Sequence, residues 1–264
     1  MDLGLKEKVA LVLASSKGLG RASAMALAAE GAHVTIGARN WQALEQTAKE
    51  IRMDTGSRVL AIPVDVTQDQ DIEKITEATI REYGRLDILV NNAGGPPFGT
   101  FETFDDSHWQ AAFELNLLSS VRLIRRVLPY MRETGSGRII TIVSTSVKQP
   151  IEGLILSNAV RLGVIGLAKT LSVELAPDNI TVNNVCPGRI LTDRLRHGSS
   201  MKERIAHGMT EEEAQKDLAK DIPLGRIGKP EELGALVAFL ASQQAAYITG
   251  TTIQVDGGLV RAAL

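Results

Sequence analysis

The sequence predicts a single α/β domain, residues 1–264, built on a doubly wound seven-stranded parallel sheet with helices on both faces. Two observations support this prediction. Seven short runs rich in β-branched residues are apolar on both faces, as the strands of a helix-covered parallel sheet must be. These runs alternate with longer helical patterns, and the composition shows no internal break that would mark a domain boundary.

The first half of the chain contains three pairs of a strand and a helix. In each pair a short apolar run is followed directly by a longer helical pattern. The pairs are "KVALVL" with Leu19 to Glu30, "HVTIGA" with Trp41 to Thr55, and "RVLAIPVD" with Ile72 to Tyr83.

The second half continues the alternation with the strands "DILVNN", "GRIITIVS", "ITVNNVC" and "TTIQVDGG". Between them lie three predicted helices: about Ser107 to Glu133, the apolar segment Gly153 to Leu171, and "PEELGALVAFLAS". The least regular segment, 192–221, is charged and follows the end of a strand, where loops cover ligands in this architecture. It is either a mobile substrate lid or a solvated pair of amphipathic helices without a gating role.

Charge and hydropathy argue against several classes of partner. A net charge of −2, with no run of like charges, speaks against nucleic acid. No apolar stretch reaches the roughly 18 residues that a membrane span needs, and the N-terminal sequence has no signal core. We therefore expect a soluble, cytoplasmic protein. The single cysteine, Cys186, is expected to be a small buried residue, and the histidines lack metal-ligand spacing, so no metal site is predicted.

A glycine turn follows the first predicted strand. In an open parallel sheet the ligand crevice lies beyond the carboxyl ends of the strands, so the residues at these ends are informative. In "ASSKGLG", Gly18 and Gly20 lie directly before a helical pattern. A glycine turn at a helix N-terminus presents backbone N–H groups that can bind a pyrophosphate. Glycines also form ordinary turns, so this motif alone is weak.

The end of the second strand bears on the choice of dinucleotide. An NAD site places an acid there to bind the ribose 2′-hydroxyl, whereas this chain has Ala38 followed by Arg39. An arginine beside a small residue favours the 2′-phosphate of NADP, which a guanidinium binds with paired hydrogen bonds. Lys17 in the glycine turn could add a second positive charge. We therefore favour NADP(H) over NAD(H); alternatively, both basic side chains are simply exposed.

Further motifs follow the later strands. They are "VDVT", "NNAG", "ELNLLSS", "IVSTS", "PGRILT", "IPLGRIGKPEEL" and "ITGTTIQVDGG". Together with "ASSKGLG", their order and spacing resemble the classical short-chain dehydrogenase/reductase family over essentially the whole chain, and within it the 3-oxoacyl-acyl-carrier-protein reductases. The resemblance implies a Rossmann fold, a nicotinamide-dependent oxidoreductase and a small-molecule carbonyl or alcohol substrate. It also implies a homo-oligomer, either a dimer or a tetramer.

The resemblance assigns roles to individual positions. Asn116 matches the helix residue that holds a water in the family's proton relay, and Ser144 matches the hydroxyl that orients the substrate oxygen. The implied cofactor contacts are Ser16, Lys17, Gly18, Leu19, Gly20, Arg39, Asp65, Val66, Asn92, Ala93, Gly94, Arg161, Pro187, Gly188, Ile190 and Thr192.

Two positions depart from the family's catalytic motif. The family has Tyr and, four residues later, Lys on the helix after Ser144, and these positions are Ser157 and Arg161 here. In the family the phenol exchanges a proton with the substrate oxygen, while the Lys binds the ribose and lowers the pKa of the phenol. A serine hydroxyl is a far weaker acid with less reach. Arg161 can still bind the ribose, but it stays protonated and cannot relay a proton.

Three residues outside this motif carry further expectations. Ala14 stands where the family's glycine turn usually begins with Gly, and its methyl group is expected to shift the turn and weaken cofactor binding without abolishing it. In the lid segment, His197 and Arg194 are candidates for acting on the substrate.

Three functions are compatible with these residues. The first is an NADP(H)-dependent oxidoreductase in which Ser144, Ser157 and a bound water perform a modified proton transfer. We favour it because Asn116, Ser144 and the cofactor frame are retained together. The second is a non-catalytic NADP(H)-binding sensor or structural subunit. The third is non-redox chemistry, such as dehydration or isomerisation, on the same scaffold.

Overall fold

A computed structural model of the protein describes residues 2–263, in which seven strands form one sheet. The strands are β1 Val9–Leu13, β2 His33–Ala38, β3 Val59–Pro63, β4 Ile88–Asn91, β5 Gly137–Ile142, β6 Ile180–Pro187 and β7 Thr252–Val255. All pairings are parallel, in the order β3-β2-β1-β4-β5-β6-β7. The predicted doubly wound sheet is confirmed. Because the direction of winding reverses between β1 and β4, a crevice opens at their carboxyl ends.

Ten α-helices lie in the same residues. They are α1 Gly18–Ala29, α2 Trp41–Thr55, α3 Asp69–Tyr83, α4 Asp106–Phe113, α5 Ser119–Glu133, α6 Ile155–Glu174, α7 Asp193–Arg196, α8 Ser199–Ala206, α9 Glu211–Ala219 and α10 Pro230–Ala241. Most agree with the sequence pattern within a few residues. Helix α3 begins earlier than predicted, with Asp69 and Asp71 in its first turn, where carboxylates interact favourably with the helix dipole.

Alternate residues of each strand pack against helices on opposite faces of the sheet. From β1, Ala10 and Val12 join a core with α1, α2 and α10, whereas Val9, Leu11 and Leu13 join a second core with α3, α5 and α6. All five side chains are completely buried. Burial on both faces explains why the strands are apolar throughout, and it leaves the polar residues at the strand ends.

The predicted helix Ser107 to Glu133 is interrupted by a π-helical turn. The turn spans Glu114–Leu118 and joins α4 to α5 without a break. Inserting an extra residue into the helical ladder leaves no mark on the apolar pattern, so the sequence analysis missed it. Such turns are frequently found at functional sites, and this one contains Asn116.

The segment 192–221 folds into three short helices, α7, α8 and α9, instead of a helix pair. Met201, Ala214 and Leu218 form a small buried cluster of their own between them. Helix α9 begins with a capping box in which Thr210 and Glu213 bond each other's backbone N–H groups. The segment follows β6 and lies over the crevice. Its movement as a lid stays a prediction.

Several smaller features bear on the sequence-based expectations. Cys186 is buried in β6, and burial raises the pKa of its thiol to about 12, so this residue is a small core side chain. Across residues 2–263, no helix is both long and apolar enough to cross a membrane. The same residues contain no cluster of three or more side chains able to hold a metal ion.

Candidate active site

A cleft of about 1140 Å³ runs along the carboxyl ends of the strands. It extends from the glycine turn and β2 to the beginning of α6 and the lid helices. All the predicted site residues line it except Gly20, Asn116 and His197, and of the two lid candidates only Arg194 does so. The other predicted residues that line the cleft are Ser16, Lys17, Gly18, Leu19, Arg39, Asp65, Val66, Asn92, Ala93, Gly94, Ser144, Ser157, Arg161, Pro187, Gly188, Ile190 and Thr192.

The glycine turn joins β1 to α1. Gly18 has a positive φ of 59°, and the helix begins there without a side-chain cap, so its first N–H groups have no side-chain acceptor. Gly20 lies behind the turn, where an added Cβ would overlap the backbone carbonyl of Ala14. The turn therefore forms an open cradle of N–H groups that suits a pyrophosphate.

Ala14 adopts a conformation that favours glycine. Its φ is 49°, in the left-handed region, where a Cβ clashes with the backbone and costs roughly 1–2 kcal/mol. Ala14 thus introduces backbone strain into the turn, and the weaker cofactor binding expected from its methyl group stays a prediction. The amide of Asn92 helps to hold the position, because its Nδ2 donates to the carbonyl oxygen of Leu13 at 3.3 Å.

The two predicted phosphate-binding side chains have different surroundings. Arg39 is exposed at the edge of the cleft directly after β2, and no carboxylate in residues 2–263 lies within ion-pair distance of it. Lys17 instead forms an ion pair with Asp193 at the start of α7, with 2.9 Å between Nζ and Oδ2. The hydrogen bond from Lys17 lowers the pKa of the Asp193 carboxyl. Lys17 thus joins the glycine turn to the lid segment.

Asp65 and Asn116 are fixed by local hydrogen bonds. Asp65 accepts hydrogen bonds from the backbone N–H and the hydroxyl of Thr67, at 3.0 and 2.8 Å. Asn116 lies in the π-helical turn, and its Nδ2 donates to the carbonyl of Gly94 at 2.9 Å. Its Oδ1 is buried without a partner among the described residues. A buried acceptor of this kind is suited to a bound water.

Three serine side chains lie close together after the end of β5. Ser144 caps the turn that follows the strand, and its Oγ accepts a hydrogen bond from the backbone N–H of Ser146 at 3.1 Å. The Ser146 Oγ lies 3.3 Å from the Oγ of Ser157, which projects from the first turn of α6. Ser146 and Ser157 are both nearly fully buried. Ser146 was not selected from the sequence, since no motif distinguishes it from the serines and threonines around it.

Arg161 lies one turn after Ser157 on α6 and is only 6% exposed. Its guanidinium donates to the carbonyls of Ile142 and Gly94, both at 3.4 Å. Burial lowers the pKa of the Arg161 guanidinium to about 10, and the nearby charge of Arg194 contributes less to this shift. Arg161 is therefore still protonated at neutral pH. Arg194 of α7 lies over the ring of Phe98 at 5.0 Å and donates to the carbonyls of Gly95 and Pro96.

No tyrosine lies among the residues that line the cleft in the described part of the chain. Tyr83 stacks on His33 and hydrogen-bonds the backbone of β2. Tyr130, in α5, packs against the hydrophobic core, and Tyr247 is fully exposed. Another tyrosine therefore does not fold back to replace the phenol that the family motif places at position 157.

The comparisons with known proteins agree with this architecture. The family described as enoyl-acyl-carrier-protein reductase matches residues 13–260. A 3-oxoacyl-acyl-carrier-protein reductase from Thermotoga maritima is 35% identical, covering 97% of this chain and 99% of that protein. A short chain dehydrogenase/reductase from Aspergillus oryzae is 36% identical, covering 97% of this chain and 95% of that protein.

Among solved structures, the L-sorbose reductase of Gluconobacter frateurii, crystallised with NADPH and L-sorbose, superposes with a TM-score of 0.95. It is 35% identical and is matched over 99% of this chain and 100% of its own. The likeness therefore extends over the sheet, the cleft and the lid helices. This chain belongs to the short-chain dehydrogenase/reductase family.

Proposed function

We propose that the protein is an NADP(H)-dependent oxidoreductase that interconverts a carbonyl and a secondary alcohol. The observation that carries this proposal is the meeting of two features in one cleft. The open glycine turn at the N-terminus of α1 lies at one end, and the hydroxyls of Ser144 and Ser157 lie at the other. A dinucleotide along the strand ends would connect them.

The residues at the two ends fit NADP(H). The N–H groups of the glycine turn suit the pyrophosphate, and Arg39, free of a carboxylate neighbour in residues 2–263, suits the 2′-phosphate. Ala38 adds no acid that would repel this phosphate. The similar L-sorbose reductase was crystallised with NADPH. When bound, NADPH supplies the hydride that reduces the carbonyl carbon.

The protein's own residues then act on the carbonyl oxygen. Ser144 donates a hydrogen bond that orients this oxygen, and the positive charge of Arg161 in its buried position stabilises the negative charge that develops there. The proton passes from the Ser157 hydroxyl, which regains one through Ser146 or a water held by Asn116. Each reduction thus consumes one hydride and one solvent proton, and the serines end unchanged.

A specific observation supports a second candidate, an NADP(H)-binding sensor or structural subunit without turnover. The Ser157 hydroxyl lies against Ser146, and no tyrosine among residues 2–263 lines the cleft, so a strong proton donor is missing. This candidate requires the same cofactor cleft and differs only in the absence of chemistry.

Two measurements test the proposal. NADPH binding is followed by the enhancement of its fluorescence, and NADPH oxidation is then measured against a broad panel of aldehydes and ketones. Binding with turnover of at least one carbonyl would support the oxidoreductase. Tight binding with no turnover across the panel would instead support the sensor, and no binding would overturn both.

We further propose that the protein is a homo-oligomer. On α6, Leu162 and Val173 are 52% and 71% exposed, and they share a face because they are about three helical turns apart. A second copy of the chain would bury this apolar face. Light scattering should give a mass of two or four chains, and Leu162→Glu should reduce it.

A further inference from the structure

Two arginines share one part of the cleft without an acid beside them. Arg161 comes from α6, one turn after Ser157, and Arg194 comes from α7; both line the cleft. In the part of the chain that the structure describes, neither guanidinium has a carboxylate within 4.0 Å. Arg161 is more than nine-tenths buried, and its side chain bonds only backbone carbonyls.

One loop brings the two guanidiniums together. Arg161 donates through Nη2 to the carbonyl of Gly94 at 3.4 Å, and Arg194 donates through Nη1 to the carbonyl of Gly95 at 3.2 Å. A second bond runs from Arg194 Nη2 to the carbonyl of Pro96 at 3.1 Å. The two cations are thus held at successive carbonyls, and their mutual repulsion contributes to the lowered pKa of Arg161. Carbonyl dipoles orient the cations but leave their charge uncompensated.

The other arginines of the lid segment and its flanks are paired. Arg189 pairs with Asp221, Arg196 with Glu211, and Arg204 with Asp217. Among the described residues of the lid segment, Arg194 is thus the arginine without an acid partner. The two carboxylates that line the cleft are engaged elsewhere, Asp65 with Thr67 and Asp193 with Lys17.

A buried cation without an acid, such as Arg161, is costly for a folded protein unless an anion from solution joins it, and the exposed Arg194 adds a second unpaired charge beside it. A carboxylate fits best, since its two oxygens match the paired donors of a guanidinium. We propose that the arginine pair, Arg161 and Arg194, binds the carboxylate of the substrate, so that this protein acts on small oxo acids or hydroxy acids. This inference rests on the proposed oxidoreductase function for the reacting carbonyl, but the anion site itself stands on the arginine pair alone.

The test compares matched ligands that differ only in charge. Binding of acetoacetate and pyruvate to the full-length protein is measured by calorimetry against their neutral amides, acetoacetamide and pyruvamide. We expect at least one acid to bind about 10- to 100-fold more tightly than its amide, the range expected for hydrogen bonds between charged groups. Equal binding of both acids and their amides would overturn the proposal.

Variants locate the site. Arg194→Gln should abolish the preference for the acid over its amide, whereas Arg196→Gln, on the same helix but paired with Glu211, should retain it. Arg161→Gln should also abolish the preference for the acid. Because Arg161 is buried, the melting temperature of the Arg161→Gln protein is measured alongside. If the Arg161→Gln protein does not fold, the result with Arg194→Gln is decisive. Retention of the preference in a folded Arg194→Gln protein would contradict the inference.

The cofactor provides the remaining control. If Arg161 and Arg194 served the ribose or a phosphate of NADP(H), as the family motif implies for position 161, saturating NADP⁺ would displace acetoacetate, and the proposal would fall. If they serve the substrate, acetoacetate should bind equally well or better with NADP⁺ present. Failure of NADPH to bind at all would reject the proposed oxidoreductase while leaving acid-selective binding intact, so the two proposals fail separately.

Discussion

The Ser157 hydroxyl lies 3.3 Å from the hydroxyl of Ser146, and both side chains are nearly inaccessible to solvent. This contact turns the residue at the family's phenol position towards the end of β5. A serine hydroxyl here can pass a proton along a chain of hydrogen bonds. It is a weaker acid than a phenol, whose reference pKa is about 10, so it cannot act alone as the phenol does. The chemistry of this protein therefore depends on what surrounds Ser157.

Restoring the family motif should raise the rate of carbonyl reduction. In the double variant Ser157→Tyr with Arg161→Lys, the phenol supplies a general acid, and the lysine lowers its pKa by proximity. We expect kcat for the best carbonyl of the panel to rise about 100-fold, within the usual contribution of a positioned acid. NADPH oxidation at 340 nm is the measurement.

The matched control is Ser157→Phe with Arg161→Lys, which has the same ring without the hydroxyl and should show no gain. Equal activity in the two double variants would mean that the phenol hydroxyl does not take part. The arginine-to-lysine change alone keeps a positive charge at this position and adds no phenol, so it should give none of the gain.

Removing the hydroxyl of Ser144 should slow catalysis without weakening the binding of the cofactor. Ser144 caps the turn after β5, and we propose that its Oγ orients the substrate oxygen. Ser144→Ala should lower kcat roughly 100-fold, and the Kd for NADPH should stay the same. Ser200→Ala, which removes an exposed hydroxyl of the lid that also lines the cleft, is the control. An unchanged kcat in Ser144→Ala would show that this assignment is wrong.

The sheet could be predicted from the sequence because its strands are buried on both faces and the motifs follow their ends in order. The glycine turn and Arg39 were found in the same way, because each directly follows a strand, so a correct strand places the residue. Ser144, Ser157 and Arg161 were identified from the resemblance to the family and the spacing of its motif. Linear spacing is thus enough for the residues that a single strand or helix carries.

Contacts between distant segments could not be predicted. The Lys17–Asp193 ion pair and the meeting of Arg161 with Arg194 join residues far apart in the chain, and their partners depend on how the lid folds back. The π-helical turn around Asn116 was missed because its apolar pattern matches that of an α-helix. Ser146 was missed because its partner comes from another element.

Arg39 should determine the preference between the two dinucleotides. Its guanidinium lies at the edge of the cleft after Ala38, where it can bind a 2′-phosphate with paired hydrogen bonds. Arg39→Gln should raise the Kd for NADPH about tenfold, which matches the loss of one charge-assisted contact at an exposed site. The Kd for NADH should not change, which makes NADH the internal control. A parallel loss of both cofactors would indicate damage to the cleft instead of a lost phosphate contact.

The packing of α1 against α10 leads to a prediction on stability. At Gly234 a Cβ would lie 2.6 Å from the carbonyl oxygen of Ala22 and 3.4 Å from the Cβ of Ala26, so the helices can approach this closely only through glycine. Gly234→Ala should therefore lower the free energy of unfolding by about 1–3 kcal/mol, the usual cost of overpacking. Urea denaturation followed by circular dichroism measures it.

Gly166 on α6 provides a control: the same glycine-to-alanine substitution should change the free energy of unfolding in the opposite direction. A Cβ built there meets no atom of the same chain within 4 Å, and the position is exposed in the single chain. Because Gly166 lies on the face of α6 that a second copy is proposed to bury, both glycine variants are compared in the Leu162→Glu background. Gly166→Ala should thus raise the free energy of unfolding by roughly 0.5–1 kcal/mol, because alanine loses less backbone entropy in a helix than glycine does. If Gly234→Ala also raised the free energy of unfolding, helix propensity would dominate at both sites, and the close contact between α1 and α10 would carry no energetic weight.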